Sequence, residues 1–314
     1  MLNECQDPIP ELLKSVDENR LRADLFFLSK DPLPFRKLNF TRPGKNRCTL
    51  YEADDYIMAQ VSDSGHHVSS QPISVQALRS NLTRPMPHQF ERPHPRDPFF
   101  IAYNLIIDQG GSNLASEFVV AIAHKDSQSW TDSPGAYDNA AGTAGLLEMV
   151  RVLSNYESKR TLRFVFCNEE HWPWTSEVIA AEMAAAPIHV RAVLNVDSIA
   201  GKSSTCVDEC RKTNTTRYSS PEGKFLAERM NGLNAQYGIG LETFSYFSER
   251  PNDDDGSFVK AGIPPAILNI GSFPYADRYY HSAGDIPERV DISNVAKAVQ
   301  LSLAFVVDAD RNEL

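Results

Sequence analysis

The sequence contains few cysteines, and their number is odd. Its 314 residues include only five, too few for a disulfide framework to hold a chain of this length together. Cys206 and Cys210 are close enough for one local bridge, but two reduced thiols in a loop are the preferred alternative because no secretory signal is visible. An apolar core must therefore stabilise the fold, and 42% of the residues are hydrophobic.

Basic residues are scarce relative to acidic ones. Lys and Arg number 31 against 41 Asp and Glu, which gives a formal net charge of −10. Nucleic-acid binding depends on clustered cations, and Lys and Arg are not concentrated anywhere in this sequence. We therefore expect no nucleic-acid partner, and small or cationic ligands fit this charge balance better.

Long apolar runs are also missing. No segment approaches the ~20 apolar residues of a membrane span. Residues 1–20 are acidic and interrupted by prolines, and they lack the basic start and apolar run of a secretory signal. We expect a cytoplasmic protein without a membrane partner, unless a leader was removed from the chain.

The chain before residue 98 predicts two helices and one strand. Residues 10–21 and 51–65 carry apolar side chains at helical spacing, and residues 66–75 are typical of a strand. Five prolines between residues 84 and 98 exclude regular structure there. We predict one domain, residues 1–314, in which residues 1–98 pack on a core formed by residues 99–314.

From Phe99 onward, apolar β-rich runs alternate with amphipathic helices. The predicted strands are residues 99–107, 118–124, 161–168, 192–197 and 265–270, and the predicted helices are residues 139–155, 175–183, 223–234 and 292–309. This alternation predicts an α/β fold with a mixed, mostly parallel sheet and helices on both faces. In such a fold, ligands bind beyond the carboxyl ends of the strands.

Acidic and imidazole side chains follow these strands at five places. They are His124 with Asp126, Asp138, Glu169 with Glu170, Asp197, and Tyr280 with His281. Burying unpaired carboxylates together costs several kcal/mol, and bound cations would offset that cost. Imidazole and carboxylate together suit zinc, whereas magnesium and calcium favour all-oxygen sites. Two histidines and three acids fit two ions bridged by one carboxylate.

The motifs HKD, GAYDNAAG, NEEH, NVDS and YYHSAGD occur in this order. They resemble H-x-D, G-A-x-D-N-x-x-G, E-E, N-x-D and a late Y-H-x-x-x-D of the co-catalytic zinc aminopeptidase family, of the bacterial leucyl aminopeptidase type. The similarity covers roughly residues 99–311. It implies the zinc-exopeptidase fold, two zinc ions per chain and a peptide or aminoacyl substrate, and it leaves the oligomeric state unknown.

The resemblance implies a role for each matching metal ligand. His124 and Asp197 would bind one zinc ion. Glu170 and His281 would bind the second ion, and Asp138 would bridge the two. Asp138 could in addition cap the helix that follows it, an ordinary place for an aspartate.

The resemblance also implies roles for residues that do not bind metal. Glu169 would be the general base that takes a proton from metal-activated water and returns it to the leaving amine. Tyr280 would either donate a hydrogen bond to the developing oxyanion or only pack its ring. Asp126 would fix the tautomer of the histidine two residues before it, and Asp285 would anchor the loop of the second histidine.

The chain departs from the family pattern at two places. His171-Trp172-Pro173-Trp174 replaces the small Gly-rich turn that usually follows the two glutamates, and the two indoles either line a specificity pocket or fill the core. Asp253-Asp254-Asp255 replaces the start of S-D-H-x-x-F, and it either caps a helix or holds a substrate ammonium. A preference for leucine is therefore not implied.

Aminopeptidase activity is favoured because it is the commonest activity of short members of this superfamily. Carboxypeptidase or dipeptidase activity, and single-zinc glutaminyl cyclase activity, are alternatives. A carboxypeptidase would need Arg250 or Arg278 to hold the terminal carboxylate of its substrate. A catalytically silent binding module would have lost a ligand or the base, and none is lost in this sequence.

Overall fold

The computed structural model describes residues 7–81, 83–84, 90–273 and 278–313. Within these ranges the helices are Ile9–Lys14 (α1), Glu18–Ser29 (α2), Thr49–Asp63 (α3), Ala141–Leu153 (α4), Thr175–Ala185 (α5), Ser204–Asp208 (α6), Pro221–Gln236 (α7), Asp253–Lys260 (α8) and Ile292–Arg311 (α9). The strands are Ser69–Ala77 (β1), Arg79–Ser80 (β2), Phe90–Glu91 (β3), Phe99–Gln109 (β4), Leu114–His124 (β5), Arg160–Cys167 (β6), His171–Trp172 (β7), His189–Val196 (β8), Thr213–Tyr218 (β9), Glu242–Phe247 (β10) and Ala266–Ile270 (β11). Residues 85–89 of the proline-rich stretch lie outside the described residues. Strand β3 lies within this stretch and pairs with β2, so the prediction that prolines exclude regular structure there is wrong at residues 90–91.

Nine of the described strands form one sheet in the order β10-β9-β11-β8-β5-β6-β4-β1-β7. Its centre, β6-β5-β8-β11, is parallel. On one side of this centre, β4 runs antiparallel to β6, β1 to β4 and β7 to β1. On the other side, β9 runs antiparallel to β11. The predicted α/β fold with a mixed, mostly parallel sheet is confirmed.

Strand β5 shows why helices cover both faces of the sheet. Its side chains alternate between two apolar clusters, with Val119 and Ala121 in one and Val120 and Ile122 in the other. A strand buried on both faces needs a helix layer on each side. Helices α4, α7 and α9 cover the first face, and α5 and α8 cover the second.

The single helix predicted over residues 10–21 is two helices. Asp17 lies between α1 and α2, and its carboxylate accepts hydrogen bonds from the backbone N–H groups of Asn19 and Arg20. This capping of α2 separates it from α1, which apolar spacing alone does not indicate. Strand β1 then pairs with β4 of the central sheet. The prediction of one domain, in which residues 1–98 pack on a core formed by residues 99–314, stays a prediction.

Helix α9 departs from the expectation that no segment approaches the apolar length of a membrane span. Among the described helices it is the one that could cross a membrane by length and composition, and 83% of its most apolar window is buried inside the protein. It packs against β5, β6 and β8. Within this fold α9 is therefore a core helix.

Cys206 and Cys210 are both free thiols. Cys206 is buried in α6, whereas Cys210 is exposed just after it. Of the two alternatives for this pair, the reduced form is the one in the structure.

Candidate active site

The acidic and imidazole side chains meet at the carboxyl ends of three central strands. His124 is the last residue of β5, Glu169 and Glu170 follow β6, and Asp197 follows β8. Because β6 and β8 flank β5, these side chains lie at one edge of the sheet. They line a cavity of about 320 Å³.

Short contacts from two histidines converge on Asp138. Nε2 of His124 lies 2.9 Å from Asp138 Oδ1 and 3.5 Å from Asp197 Oδ1. Nε2 of His281 lies 3.1 Å from Asp138 Oδ2 and 2.9 Å from Glu170 Oε1. Each oxygen of Asp138 thus faces a different histidine, as in a carboxylate shared by two cations.

The potential donor atoms fall into two groups of three. Within each group the donor atoms lie within 4.8 Å of one another, and each group combines one imidazole with two carboxylates. The groups are His124, Glu169 and Asp197, and Asp138, Glu170 and His281. The structure therefore brings all five predicted ligands and the predicted base together.

Asp138 lies in an irregular turn that precedes α4. Gly135 enters this turn with a φ of 61°, and a Cβ there would lie 2.4 Å from the carbonyl oxygen of Asp138, so glycine is needed at this position. The carboxylate of Asp285 accepts from the N–H groups of Tyr137 at 2.7 Å and Asp138 at 3.3 Å. Asp285 thereby ties the Asp138 turn to the loop that carries His281.

Asn139 fixes the end of the same turn. Its Nδ2 donates to the carbonyl of Val196 at 2.9 Å, and its Oδ1 accepts from the N–H of Gly142 at 2.9 Å. The N-cap of α4 is Ala140, so the predicted capping role of Asp138 is wrong. The irregular backbone before Ala140 removes Asp138 from the capping position and leaves its carboxylate for the site.

Asp126 connects the two glutamates with His124. Its fully buried carboxylate accepts from the backbone N–H groups of Glu169 at 3.0 Å and Glu170 at 2.9 Å. It also lies 3.2 Å from Nδ1 of His124 and 2.7 Å from Nδ1 of His171. Because Nδ1 of His124 donates to Asp126, its Nε2 lone pair is left for a metal.

Both candidate histidine ligands have raised pKa values. Burial lowers the pKa of His281, but the carboxylates of Glu170 and Asp138 outweigh it and raise the pKa to about 10. Burial opposes protonation of His124 as well, yet Asp197 and the other neighbouring carboxylates raise its pKa well above the ordinary value. The site therefore attracts positive charge strongly.

The pKa of Glu169 is also raised, but in a carboxylic acid this favours the neutral form. Burial raises its pKa well above that of an ordinary glutamate, and Asp253, Asp254 and Asp197 raise it further. Like charges close together in a site disfavour ionisation in this way.

Each of the two adjacent glutamates has a buried oxygen atom that is available for a cation or a proton. Oε2 of Glu169 and Oε2 of Glu170 have no hydrogen-bond partner among the described residues. A buried acceptor without a donor costs about 1–3 kcal/mol. A cation bound by Glu170 would remove that cost at one oxygen, and a proton on Glu169 would remove it at the other. Zinc takes imidazole nitrogen together with carboxylate oxygen, so the residues present fit zinc.

Only Trp174 takes one of the two roles left open for the indoles, because Trp172 neither lines the cavity nor belongs to an apolar core cluster. Trp174 lines the cavity and is 7% exposed. Trp172 instead packs beside Arg92, whose guanidinium carbon lies 4.2 Å from the ring centroid. Tyr280 lines the cavity and stacks on His281 with ring centroids 3.7 Å apart. Its packing role is therefore observed, and its role toward an oxyanion stays a prediction.

The acidic run Asp253-Asp254-Asp255 forms the first turn of α8, where carboxylates interact favourably with the helix dipole. Asp253 also lines the cavity and accepts from Arg217 at 2.5 Å. Asp255 accepts from the same guanidinium at 2.8 Å. The N-cap of α8 is Asn252 and no side chain caps the helix, so the run does not take the capping role. It places a carboxylate in the cavity, and its role toward a substrate ammonium stays a prediction.

Arg217 was not singled out in the sequence, although it lines the cavity. It lies in the polar strand β9, and no motif marks it. Arg250 and Arg278, considered above for a carboxypeptidase, are not among the described residues that line the cavity. Arg250 is exposed, and the guanidinium carbon of Arg278 lies 4.8 Å from the ring centroid of Tyr279.

Arg36 is a second residue that sequence reasoning missed. Its guanidinium is fully buried and donates to the carbonyls of Lys125 at 2.7 Å and Gly135 at 2.9 Å. It thereby joins the segment after His124 to the segment before Asp138. No local motif signals such a role, because its partners are backbone atoms of distant residues.

Similar proteins are described as aminopeptidases. A probable aminopeptidase of Saccharomyces cerevisiae is 25% identical over 226 residues, which are 66% of this chain and 57% of that protein. The match thus spans less than two thirds of the yeast protein.

Solved structures share the fold. The LapA aminopeptidase of Legionella pneumophila matches with a TM-score of 0.73 at 16% identity, over 99% of this chain and 76% of that chain. BSAP, a zinc aminopeptidase from Bacillus subtilis, matches with a TM-score of 0.70 at 14% identity, over 95% and 96% of the two chains. At these identities the likeness establishes the architecture.

The family assignment rests on a longer match. The family model of peptidase family M28 matches residues 104–306, which is well over half of the chain and includes every predicted ligand and the predicted base. The resemblance to the zinc aminopeptidases is confirmed, and the chain belongs to peptidase family M28.

Proposed function

We propose that this chain is a zinc-dependent aminopeptidase that holds two zinc ions. The observation that carries the proposal is the position of Asp138, whose two oxygens lie 2.9 Å and 3.1 Å from the Nε2 atoms of two different histidines. His124 and Asp197 would hold one ion, Glu170 and His281 the other, and Asp138 both. The similar yeast, Legionella and Bacillus proteins are described as aminopeptidases, which supports the same activity.

Glu169 would move the proton in this reaction. Bound zinc would polarise the scissile carbonyl as a Lewis acid and lower the pKa of water toward neutrality. Glu169 would take the proton of the attacking water and return it to the leaving amine. Its pKa is raised by burial, which suits a group that must accept and release a proton near neutral pH. The bond from its N–H to Asp126 at 3.0 Å holds its backbone in place.

The charges of the cavity favour a substrate with a free amino terminus. Carboxylates of Glu169 and Asp253 line the cavity, and the one described Lys or Arg in the lining, Arg217, is already paired with two aspartates. No Lys or Arg among the described lining residues is therefore left to hold a terminal carboxylate, whereas Glu169 and Asp253 offer oxygen acceptors for an ammonium group. These charges support an aminopeptidase over a carboxypeptidase.

Peptides with free and with acetylated amino termini test the proposal. We expect the zinc-loaded protein to release the first residue from the free peptides only. Elemental analysis should find about two zinc ions per chain, and about one fewer in His281→Ala. Cleavage of acetylated peptides from the carboxyl end would contradict the aminopeptidase assignment, and cyclisation of an N-terminal glutamine without hydrolysis would favour the cyclase alternative.

A further inference from the structure

We infer that His171 is a positioning residue of the metal centre and acts through Asp126. The inference rests on the proposed function, because it assigns His171 a share in zinc affinity. His171 directly follows the two glutamates and is the first residue of strand β7.

Both ring nitrogens of His171 have a defined partner. Nδ1 lies 2.7 Å from Asp126 Oδ2, and the backbone N–H of Leu38 donates to Nε2 at 3.4 Å. A backbone N–H can only donate, so Nε2 carries no proton and Nδ1 donates the ring proton to Asp126. The side chain is fully buried, so water does not compete for this bond.

The bond from His171 completes the hydrogen bonding of the Asp126 carboxylate. Oδ1 accepts from His124 Nδ1 and from the N–H of Glu169, and Oδ2 accepts from the N–H of Glu170 and from His171. An ionised carboxylate has about four lone-pair sites, and the bond to His171 at 2.7 Å is the shortest of these four. The other three partners are two proposed ligands and the proposed base.

Strand β7 gives the His171 ring a rigid support. His171 and Trp172 pair with Ala77 and Gln76 of β1, which belongs to the central sheet. Among these four donors to Asp126, His171 is thus the one supplied by the edge strand β7, whereas the other three belong to the proposed ligands and base. Without the Nδ1 donor, the carboxylate could rotate and the orientation of His124 would loosen with it. Partners of metal-binding histidines typically contribute 10- to 100-fold to metal affinity.

Three substitutions separate the bond to Asp126 from the other contacts of the ring. In His171→Asn, the amide nitrogen takes the place of Nδ1 and keeps the bond to Asp126, but the contact with Leu38 is lost. In His171→Gln, the amide oxygen takes the place of Nε2 and keeps only the contact with Leu38. His171→Phe retains the ring and loses both hydrogen bonds.

Zinc affinity is measured by competition with a chromophoric chelator, and the absorption spectrum of the cobalt-substituted protein reports ligand geometry. Neither readout depends on turnover. We expect His171→Gln and His171→Phe to lose about tenfold or more in zinc affinity and to shift the cobalt bands. His171→Asn should remain within about threefold of the unsubstituted protein and keep its spectrum, because the bond to Asp126 is retained.

Equal zinc affinity in the Asn and Gln variants would overturn the inference, and this comparison decides it even when the Phe variant fails to fold. The inference would also be overturned if the loss of zinc affinity in each variant merely paralleled the fall in melting temperature of its zinc-free form, since the loss would then reflect general destabilisation. If the unsubstituted protein binds no zinc, the proposed function itself fails. If it binds zinc that is insensitive to these substitutions, only the inference about His171 fails.

Discussion

At the scale of single residues, two carboxylates that are not proposed as ligands fix the backbone and one histidine of the site through hydrogen bonds. Asp126 accepts from His124 and from the backbone of both glutamates. Asp285 accepts from the backbone of Asp138. Because both are fully buried, their hydrogen bonds are not shared with solvent, and side chains beside the metal positions start from fixed backbone positions.

The role of Glu169 leads to a prediction at this scale. Glu169→Gln should lower kcat by roughly 10²–10⁴-fold, as expected for the loss of a general base. Glutamine is close in shape and keeps the backbone bond to Asp126, but it cannot take the proton. Steady-state kinetics and elemental analysis on the same preparation check this, with zinc content near that of the unsubstituted protein.

A matched control is Glu228→Gln, since Glu228 is exposed on α7. It should leave kcat unchanged. Full turnover in Glu169→Gln would refute the assignment of the base.

The site residues that could be predicted from the sequence all lie in short motifs at strand ends. His124 and Glu170 are examples, because each follows an apolar run that identifies its position. Arg36 could not be predicted in this way, since its contact with Lys125 spans 89 positions of sequence. His171 could be noticed as a departure from the family pattern, but its bond to Asp126 spans 45 positions and needs the folded chain.

At the scale of elements, apolar periodicity identified the central strands and the long helices. Strands β9 and β10 were not predicted. Residues 213–218 read TNTTRY, and their burial is supported by polar contacts such as that of Thr216 with Asn269 at 3.2 Å. A buried strand that satisfies polar side chains with one another lacks the apolar pattern on which prediction depends.

Helix α4 approaches strand β8 closely at Gly142. A Cβ at this position would lie 2.1 Å from the carbonyl oxygen of Val196 and 2.2 Å from Oδ1 of Asn139. Gly142→Ala must therefore displace the helix or the strand end, and overpacking of this kind costs about 1–3 kcal/mol. Zinc affinity should fall as well, because Asn139 adjoins Asp138 and Val196 adjoins Asp197. Urea unfolding of the zinc-free protein measures the loss of stability.

Gly232→Ala is the control for this prediction. Gly232 lies in α7, and a Cβ there meets no atom within 4 Å, so alanine should stabilise the protein by about 0.5–1 kcal/mol. Unchanged stability in Gly142→Ala would show that α4 can shift at no cost, contrary to this expectation.

At the scale of the whole molecule, the proposed ligands span residues 124–281 of the chain. They come from three strand ends, the turn before α4 and the loop after β11. A cation bound among them would therefore join most of the folded chain and would have no equivalent partner set in the unfolded chain.

Removal of metal should accordingly lower thermal stability. A ligand present at about a thousandfold above its Kd stabilises the native state by about 4 kcal/mol, which corresponds to a shift on the order of 10 °C for a large domain. Differential scanning calorimetry with zinc and with chelator measures the difference. Magnesium added to the chelated protein should restore little of it, because all-oxygen sites suit magnesium better. An identical melting temperature with and without zinc would contradict a two-metal site.

Adjacent strands in a sheet lie about 4.8 Å apart, and β8, β5 and β6 are consecutive neighbours. Backbone hydrogen bonding thus sets how far apart the proposed ligands and the proposed base begin, while Trp174 and the first turn of α8 shape the surrounding walls. Under the proposed function, substitution of Trp174 would change which amino-terminal residue is accepted. Divergence in the first turn of α8 would alter the reaction as well, because Asp253 and Asp254 raise the pKa of Glu169.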